Sequence, residues 1–325
     1  MFAINMIHGK ILAAVATTAA VALLGSAAVH AAAPMAKTSA PGYYRMMLGD
    51  FEVTALSDGT VKLPVRDLLT NIKPAAVDAA LAKSYLTNPL ETSVNAYLVN
   101  TGEKLVLIDT GAAGLFGPTL GNLIPNLKAA GYQPEQVDEI YITHMHADHV
   151  GGLMAGDKMV FPNAVVRAEK HDADFWLNQA NMDKAADADK SFFKGAMASV
   201  NPYVKAGKFK SFEGNTDLVT GIKASVTRGH TPGHSLYVVE SKGQKLVLWG
   251  DLMHVASVQF DNPSVTIQFD SDSKNAAVQR KKAYAEAAKQ GYLVASAHIS
   301  FPGIGRLRAA GKGYTWLPVN YIPLK

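Results

Sequence analysis

The sequence predicts a four-layer αββα sandwich, an α/β (α+β) fold in which two β-sheets pack face to face and helices cover both outer faces. Short apolar runs typical of buried strands recur along the chain, with helical segments between and after them. The two halves also share a pattern, because residues 101–110 (TGEKLVLIDT) and 242–251 (KGQKLVLWGD) each contain a turn, a Lys-Leu-Val-Leu strand and an acidic residue. Two similar halves indicate two similar sheets.

The predicted elements follow one another in chain order. Strands are predicted at residues 44–49, 51–59, 92–100, 104–111, 138–144, 164–170, 221–230, 235–241, 244–251 and 292–298. Helices are predicted at residues 119–130, 171–182 and 274–290, and Gly131 and Gly291 are expected to end the first and the last. Asp58-Gly59 and Lys242-Gly243 are predicted turns, and the polar residues 183–197 are predicted to be a surface excursion.

Residues 1–31 differ in kind from the rest of the chain. Lys10 precedes an apolar run over residues 11–25, and small residues follow up to Ala31. This pattern is typical of a secretory signal peptide cut near Ala31/Ala32, whereas a membrane anchor needs about 20 apolar residues. We therefore expect a periplasmic or secreted protein whose residues 32–325 form a single domain, with no later segment entering a membrane.

Composition limits the chemistry that this domain can use. The chain has 48% hydrophobic residues and a net charge of +4, and its densest basic cluster, Arg280-Lys281-Lys282, is typical of a solvated helix face. No nucleic-acid partner is expected. Because the chain contains no cysteine, any metal site has to use histidine and carboxylate ligands.

The segment THMHADHVGG, residues 143–152, carries three of the chain's ten histidines within six positions. In an extended segment residues two apart point the same way, so His144 and His146 are expected to converge on one point. Asp148 and His149 come where glycines indicate that the strand has ended, so they are expected to reach a second point nearby. One loop of this kind can bind two metal ions, and the nitrogen and carboxylate donors favour zinc or its neighbours over calcium.

Further histidines and aspartates follow other apolar strands. His230 and His234 lie in RGHTPGHS, Asp251 ends LWGD, and His298 ends YLVASAH. Polar residues at several strand ends indicate a ligand cluster gathered at one edge of a sheet.

In combination, HxHxDH, GHTPGH, GD and a late histidine resemble the metallo-β-lactamase superfamily, over a region from Tyr43 to the C-terminus. The resemblance implies the αββα fold and a two-metal hydrolase. It implies that His144, His146 and His230 bind one metal, that Asp148, His149 and His298 bind the other, and that Asp251 bridges them, with Asp148 and Asp251 catalytic. It further implies that Asp109 orients the histidine loop through hydrogen bonds, and that His234 does not bind metal and either supports the ligands or simply packs beside them.

Segments outside the metal motifs, including GAAGLFGPTLG, AGYQPEQVDEIYITHMH and GKGYTWLPVNY, resemble the methyl parathion hydrolases. This resemblance implies hydrolysis of organophosphorus triesters of the methyl parathion and paraoxon type, by attack of a metal-bridging hydroxide on phosphorus. It also implies a homodimer. Zinc is the expected metal, with manganese, cobalt, iron and cadmium as alternatives. The alternative function is a lactonase or arylesterase with promiscuous phosphotriesterase activity, because carbonyl and phosphoryl substrates need the same two metals.

Four residues are predicted to contact the small-molecule substrate. By the same resemblance Phe116, Trp176 and Phe192 line the pocket, although core packing is an equal alternative for Trp176 and Phe192. His254 stands where the family is expected to have an aliphatic residue, so it is predicted to be a polar group at the pocket mouth or a sign of a different preferred substrate.

Overall fold

The strands of this chain are apolar enough to need packing partners on both faces, and the structure places a second sheet on one face and helices on the other. A computed structural model describes residues 33–324, of which residues 33–39 contain no helix or strand and the residues from Ala40 onwards form one compact unit. The predicted signal peptide, residues 1–31, lies outside the described residues, and the domain boundary at residue 32 stays a prediction.

Strands and helices are interspersed along the chain. The strands are β1 (Tyr43–Leu48), β2 (Phe51–Leu63), β3 (Leu69–Thr70), β4 (Leu90–Asn100), β5 (Leu105–Ile108), β6 (Glu139–Tyr141), β7 (Met154–Ala155), β8 (Lys158–Met159), β9 (Val165–Glu169), β10 (Phe209–Phe212), β11 (Thr216–Val219), β12 (Ile222–Val226), β13 (Ser235–Ser241), β14 (Gln244–Leu248), β15 (Thr266–Ile267), β16 (Leu293–Ala295), β17 (Ile304–Ala310) and β18 (Gly313–Pro318).

The helices differ widely in length. They are α1 (Val65–Leu68), α2 (Pro74–Lys83), α3 (Leu123–Ala129), α4 (Ala147–Val150), α5 (Lys170–Trp176), α6 (Gln179–Lys184), α7 (Lys190–Lys205), α8 (Ala256–Gln259) and α9 (Ser273–Gln290), with short 3-10 turns at Pro134–Gln136 and Gly151–Leu153.

Two seven-stranded sheets form the centre of the described region. The first has the order β1-β2-β4-β5-β6-β9-β10 and the second the order β11-β12-β13-β14-β16-β17-β18. In each, the Lys-Leu-Val-Leu strand pairs antiparallel with the preceding strand and parallel with the next one, as β5 does with β4 and β6 and as β14 does with β13 and β16. The repeated sequence pattern therefore corresponds to a repeated strand arrangement.

The alternation of side chains along these strands builds the layers. Val106 and Ile108 of β5 pack between the sheets, in a cluster that also contains Tyr237 of β13. Leu105 and Leu107, one position out of phase, pack on the outer face of the first sheet, in a cluster that includes residues of α3 and α7. On the outer face of the second sheet, α9 packs in the same way. The predicted four-layer αββα sandwich is confirmed.

The predicted turn at Asp58-Gly59 is wrong. The strand β2 continues through both residues to Leu63, and a bulge between Ser57 and Gly59 absorbs the irregularity. The Asp58 carboxylate is buried and accepts hydrogen bonds from the backbone N–H groups of Ala112 and Leu123. Partners distant in sequence thus outweigh the local turn preference of Asp-Gly.

The helical region after β9 also departs from prediction. The helix predicted at residues 171–182 is two helices, α5 and α6, and the Asn178 side chain accepts a hydrogen bond from the N–H of Ala180 at the start of the second. The surface excursion predicted at residues 183–197 is wrong from Lys190 onwards, because α7 begins there and buries Phe193 and Val200 against the first sheet. Lysines and small residues hid its apolar face.

Two further parts of the fold were not predicted. The hairpin of β17 and β18 extends the second sheet, and α1, α2 and α8 form a small apolar cluster with Leu63 and Ile267. Within residues 33–324 we find no helix that combines the length and the hydropathy needed to cross a membrane.

The Tyr203 hydroxyl attaches α7 to the sandwich, since it accepts from the N–H of Phe161 and donates to the carbonyl of Leu153, both at 3.1 Å. Tyr203→Phe is expected to lower the free energy of unfolding by about 1–3 kcal/mol, because both backbone groups lose a buried partner. Urea unfolding measures this loss. Tyr85→Phe is the matched control, because Tyr85 is 98% exposed and should change stability by less than about 0.5 kcal/mol. Equal losses in the two variants would contradict the assigned anchoring role.

Candidate metal centre

The polar residues predicted at the strand ends lie together at one edge of the sandwich. His144 and His146 follow β6, Asp148 and His149 lie in the short helix α4, and Asp251 follows β14. The strands β5 and β6 are parallel, as are β14 and β16, so their carboxyl ends meet at the same edge of each sheet.

Three histidines and one aspartate form a first group of converging donor atoms. His230 Nε2 lies 3.2 Å from His144 Nε2, 3.2 Å from His146 Nδ1 and 3.3 Å from Asp251 Oδ2. Oδ2 of Asp251 also lies 3.6 Å from His144 Nε2. All four residues are buried. We refer to them as site one.

A second group, site two, surrounds the other oxygen of the same aspartate. Asp251 Oδ1 lies 3.1 Å from His149 Nε2 and 3.0 Å from His298 Nε2. Asp148 Oδ2 completes the group, at 3.6 Å from His149 Nε2 and 3.5 Å from His298 Nε2. Asp251 therefore presents one oxygen to each site, as a bridging ligand must.

These distances fit divalent metal ions. Ligands about 2.0–2.1 Å from a tetrahedral zinc ion lie about 3.3–3.4 Å from one another, close to the separations in both sites. His149 Nε2 and Asp251 Oδ1 are buried without a hydrogen-bond partner although they are 3.1 Å apart. A cation bound by both atoms accounts for this arrangement, so the residues present fit two divalent metals.

The electrostatics agree with cation binding. Burial lowers the pKa of His144 and that of His146 well below the usual value, so both imidazoles are neutral at pH 7. Burial alone would raise the pKa of Asp251, but the facing imidazoles, led by His149, hold it well below its usual range. Burial would also lower the pKa of His149, but the facing carboxylates outweigh it and raise that pKa, which shows that site two attracts positive charge.

Hydrogen bonds on the opposite ring nitrogen fix the orientation of three histidines. His149 Nδ1 lies 2.8 Å from Asp109 Oδ2, and His230 Nδ1 lies 2.9 Å from Asp270 Oδ1. His298 Nδ1 donates to the carbonyl of Ser93 at 2.9 Å. Since a carbonyl or an ionised carboxylate can only accept, each Nδ1 carries the proton and each Nε2 presents a lone pair to the metal.

Asp109 contacts the histidine loop from a backbone conformation that the sequence did not indicate. Its φ of +60° is unusual for a residue with a side chain. From there its carboxylate accepts from the N–H and the hydroxyl of Thr143, each at 2.8 Å, besides contacting His149. Gly151 and Gly152 follow because a Cβ at either position would collide with the backbone of Ala112 or Thr110. The two glycines therefore allow α4 to approach the loop after β5.

His234 lies beside the metal groups without belonging to either. Its Nε2 accepts from the backbone N–H of Asp251 at 3.1 Å, and its Nδ1 lies 2.9 Å from Thr227 Oγ1. Burial lowers the pKa of His234 to about 3, so the ring stays neutral and can accept that N–H. Its position is that of a residue holding the backbone of the bridging aspartate.

His254 is not at the pocket mouth. Only 2% of it is exposed, its Nε2 lies 3.1 Å from Asp251 Oδ2, and its ring stacks on that of His298 with 5.1 Å between centroids. The short loop after β14 turns back, which places the side chain of residue 254 against the carboxylate of Asp251. The backbone N–H of His254 is held by Gln259 Oε1 at 2.8 Å.

Two cavities adjoin the metal residues. A narrow one of about 30 Å³, here called the slot, contacts Asp148, Asp251 and His254 and has apolar walls from Val61, Leu63, Phe116, Phe192 and Phe269. An outer cavity of about 620 Å³ shares His146, Phe192 and Phe269 with the slot and is lined further by Phe175, Trp176 and residues of α6 and α7. Each of the four predicted substrate residues therefore lines at least one of the two cavities. Trp176 lines the outer cavity and also belongs to the core cluster of the first sheet.

Sequence reasoning missed three residues of this region. Asp270 orients His230, Phe269 forms a wall of the slot, and Asp172 accepts hydrogen bonds from two ligand-bearing loops. Burial raises the pKa of Asp172 to about 6. Neither acidic residue carries a local signal in the sequence. Phe269, a lone aromatic residue in an otherwise polar loop, was an available signal for its own position.

Removal of metal should destabilise the protein, because the buried carboxylates would lose their counter-ions. At a free metal concentration 1,000 times the dissociation constant, each site should add about 4 kcal/mol to the free energy of unfolding. We expect two metal equivalents per chain by elemental analysis and a lower Tm after chelation. Asp251→Ala should bind less metal, and its Tm should no longer respond to chelation. Asp174→Ala, on an exposed part of α5, should keep both the metal content and the response of the Tm. A Tm that does not respond to chelation would contradict the assignment.

Known proteins resemble the chain over this same region. A model of the metallo-beta-lactamase superfamily matches residues 90–298. Among solved structures, the hydrolase AbOPH in the beta lactamase superfamily has a TM-score of 0.84 and 39% identity, over 88% of this chain and 100% of that chain. AidC, a dizinc quorum-quenching lactonase, has a TM-score of 0.78 and 27% identity, over 87% and 99%. An N-acyl homoserine lactonase from Bacillus sp is 29% identical over 213 residues, 59% of this chain and 76% of that protein.

These comparisons do not establish the methyl parathion hydrolase branch. The matched residues 90–298 do include every residue of sites one and two, within a fold of two packed sheets covered by helices. The chain belongs to the metallo-beta-lactamase superfamily and is a metal-dependent hydrolase of that superfamily.

Proposed function

We propose that this binuclear metallo-hydrolase is a lactonase that also cleaves aryl esters, with zinc as its metal. Organophosphorus triesters, which the sequence resemblance implied, are then secondary substrates. The observation that carries the proposal is the shape of the slot beside Asp251, together with lactonases among the relatives. Bound at the two sites, the cations would supply Lewis acidity toward the substrate and lower the pKa of a water nucleophile.

The slot suits a flat reacting group. Its volume of about 30 Å³ has room for about one or two water molecules, and Phe116, Phe192 and Phe269 stand around it. A lactone or ester carbonyl is planar and can approach between such walls. A phosphorus triester is tetrahedral, so its alkoxy groups take more room around the reacting atom than a planar carbonyl does, in a slot that His254 and Phe269 also line. The walls therefore favour attack at carbon over attack at phosphorus.

The outer cavity suits the remainder of an apolar lactone. It adjoins the slot, since Phe192, Phe269 and His146 line both, and Trp176 and Phe175 extend its aromatic surface. An acyl chain or an aryl ring bound there would bury apolar area. Asp148 and Asp251, the two residues predicted to be catalytic, are the carboxylates that line the slot.

The signal peptide, the periplasmic or secreted location and the homodimer remain part of the proposal. They rest on residues 1–31 and on the sequence resemblance. Size-exclusion chromatography with light scattering and N-terminal sequencing of the exported protein would test them.

The function is tested by specificity constants on one zinc-loaded preparation. The panel contains an N-acyl homoserine lactone, an aryl lactone, phenyl acetate and a paraoxon-type triester. We expect kcat/KM for one of the lactones to exceed that for the triester by about 10-fold or more, because the slot favours a planar carbonyl. Asp251→Ala is the control for contaminating esterases and should be inactive on all four. A triester preferred over both lactones would overturn the lactonase proposal in favour of the phosphotriesterase.

His254→Ile tests the contribution of the slot wall. The change removes the hydrogen bond to Asp251 Oδ2 and makes the wall apolar, so kcat/KM for lactones should fall by about 10- to 100-fold, as for a lost bond to a charged group. Triester hydrolysis should rise relative to lactone hydrolysis. His171→Ile is the matched control, since His171 lies outside both cavities and its side chain is 43% exposed. An unchanged ratio of the two activities would contradict this role for His254.

A further inference from the structure

Asp172 lies in the first turn of α5 with none of its surface exposed. Each of its carboxylate oxygens accepts one backbone hydrogen bond. Oδ2 accepts from the N–H of Met145 at 2.9 Å, and Oδ1 accepts from the N–H of Gly233 at 2.7 Å. One buried side chain therefore holds two segments of the chain. The two donor residues, 145 and 233, are 88 residues apart in sequence.

Both segments carry ligands of site one. Met145 stands between His144 and His146 in the loop after β6, a strand of the first sheet. Gly233 belongs to the loop of residues 227–234, which carries His230 and connects two strands of the second sheet. The distances of 3.2 Å from His230 Nε2 to the other two imidazoles therefore depend on how these two loops are held relative to each other.

The contact at Gly233 leaves no spare room. A Cβ at this position would lie 2.5 Å from the backbone nitrogen of Asp172 and 2.6 Å from Glu169 Oε2. Glycine thus permits the close approach through which the N–H of residue 233 reaches the carboxylate. The buried Glu169 side chain limits movement of the loop on the same side.

Site two is held by a different carboxylate. Asp109 bonds the N–H of Thr143 and the ring of His149, while His298 is held by the carbonyl of Ser93. Asp172 makes no hydrogen bond to any of these residues. Changes at residue 172 should consequently act on one metal position more than on the other.

We propose that Asp172 is a positioning residue that sets the spacing between His230 and the pair His144 and His146, and that it thereby controls the metal affinity of site one selectively. It does not touch the metal or the substrate. The proposal concerns metal binding and holds whichever ester the enzyme cleaves.

The experiment is a chelator titration of the cobalt-loaded protein, residues 32–325. Visible absorption and elemental analysis monitor the release of metal. Two reference variants identify the bands, since His230→Ala should lose the site-one spectrum and His298→Ala the site-two spectrum. In Asp172→Asn one oxygen can still accept, but the amide N–H₂ faces the other N–H. We expect site one to release its metal at an about 10- to 100-fold lower chelator concentration, with site two unchanged.

Two further variants keep the proposal open to refutation. Asp174→Asn, two residues away on α5, changes an exposed carboxylate paired with Lys170 and should release both metals as the wild type does. Gly233→Ala keeps Asp172 but pushes the loop away from it, so it should reproduce the selective loss from site one, and it decides the matter if Asp172→Asn fails to fold. Equal weakening of both sites, or a lower Tm with both metals retained, would overturn the proposal.

Discussion

The Asp251 carboxylate is the group on which the functional end of this molecule depends. Its two oxygens lie 3.0–3.3 Å from histidine nitrogens of two different groups, so one side chain fixes the distance between both metal positions. Five imidazoles lie 3.0–3.6 Å from the buried carboxylate, and one of them, His254, belongs to neither site and contacts Oδ2. A sixth, His234, accepts a hydrogen bond from the backbone N–H of Asp251. A charge in such surroundings is stable only when it is compensated, and the cations provide that compensation.

The two sheets share the ligands between them, so the metal sites depend on how the sheets pack. Each sheet contributes ligands at its carboxyl edge, and neither sheet holds a complete site: His144, His146 and His149 follow a strand of the first, while His230, Asp251 and His298 follow strands of the second. Packing of the inner faces brings the two edges together, through residues such as Tyr141 and Tyr237, whose rings stack with 5.4 Å between centroids. The apolar core thus brings the loops close together, and hydrogen bonds such as those of Asp109 then fix the positions of the ligand side chains.

The sequence predicted the features that repeat or cluster, and it missed those that depend on distant partners. The layered fold follows from periodicity, and the gathering of histidines and aspartates at one edge follows from their placement after strands. The choice of seven ligands among them, which leaves out His234, came from the resemblance to the superfamily. The prediction of a turn at Asp58-Gly59 failed because Ala112 and Leu123 bind the Asp58 carboxylate, while β2 stays paired with β4 on both sides of the bulge. The helix α7 was hidden by exposed lysines, and Asp172 and Asp270 were hidden because a buried hydrogen-bonding carboxylate has the same sequence appearance as an exposed one. His254 was placed at the mouth because the reversal of the chain after Gly250, at φ +51°, is not visible in sequence.

In the proposed function, the choice of substrate rests on side chains that are not ligands of either site. Sites one and two would serve a carbonyl and a phosphoryl substrate equally well, because both need a polarised oxygen and a water nucleophile. The two reactions differ in the shape of the group that has to enter: a planar carbonyl has open faces, whereas a tetrahedral phosphorus presents a substituent in every direction. Phe116, Phe192, Phe269 and His254 leave about 30 Å³ in front of the metal residues, while more than ten times that volume lies just outside. The restriction is therefore local to the reacting atom. A change in the size of Phe116, Phe192 or Phe269 should alter the choice of substrate without removing a contact to a ligand, whereas a change at His254 also removes the contact to Asp251.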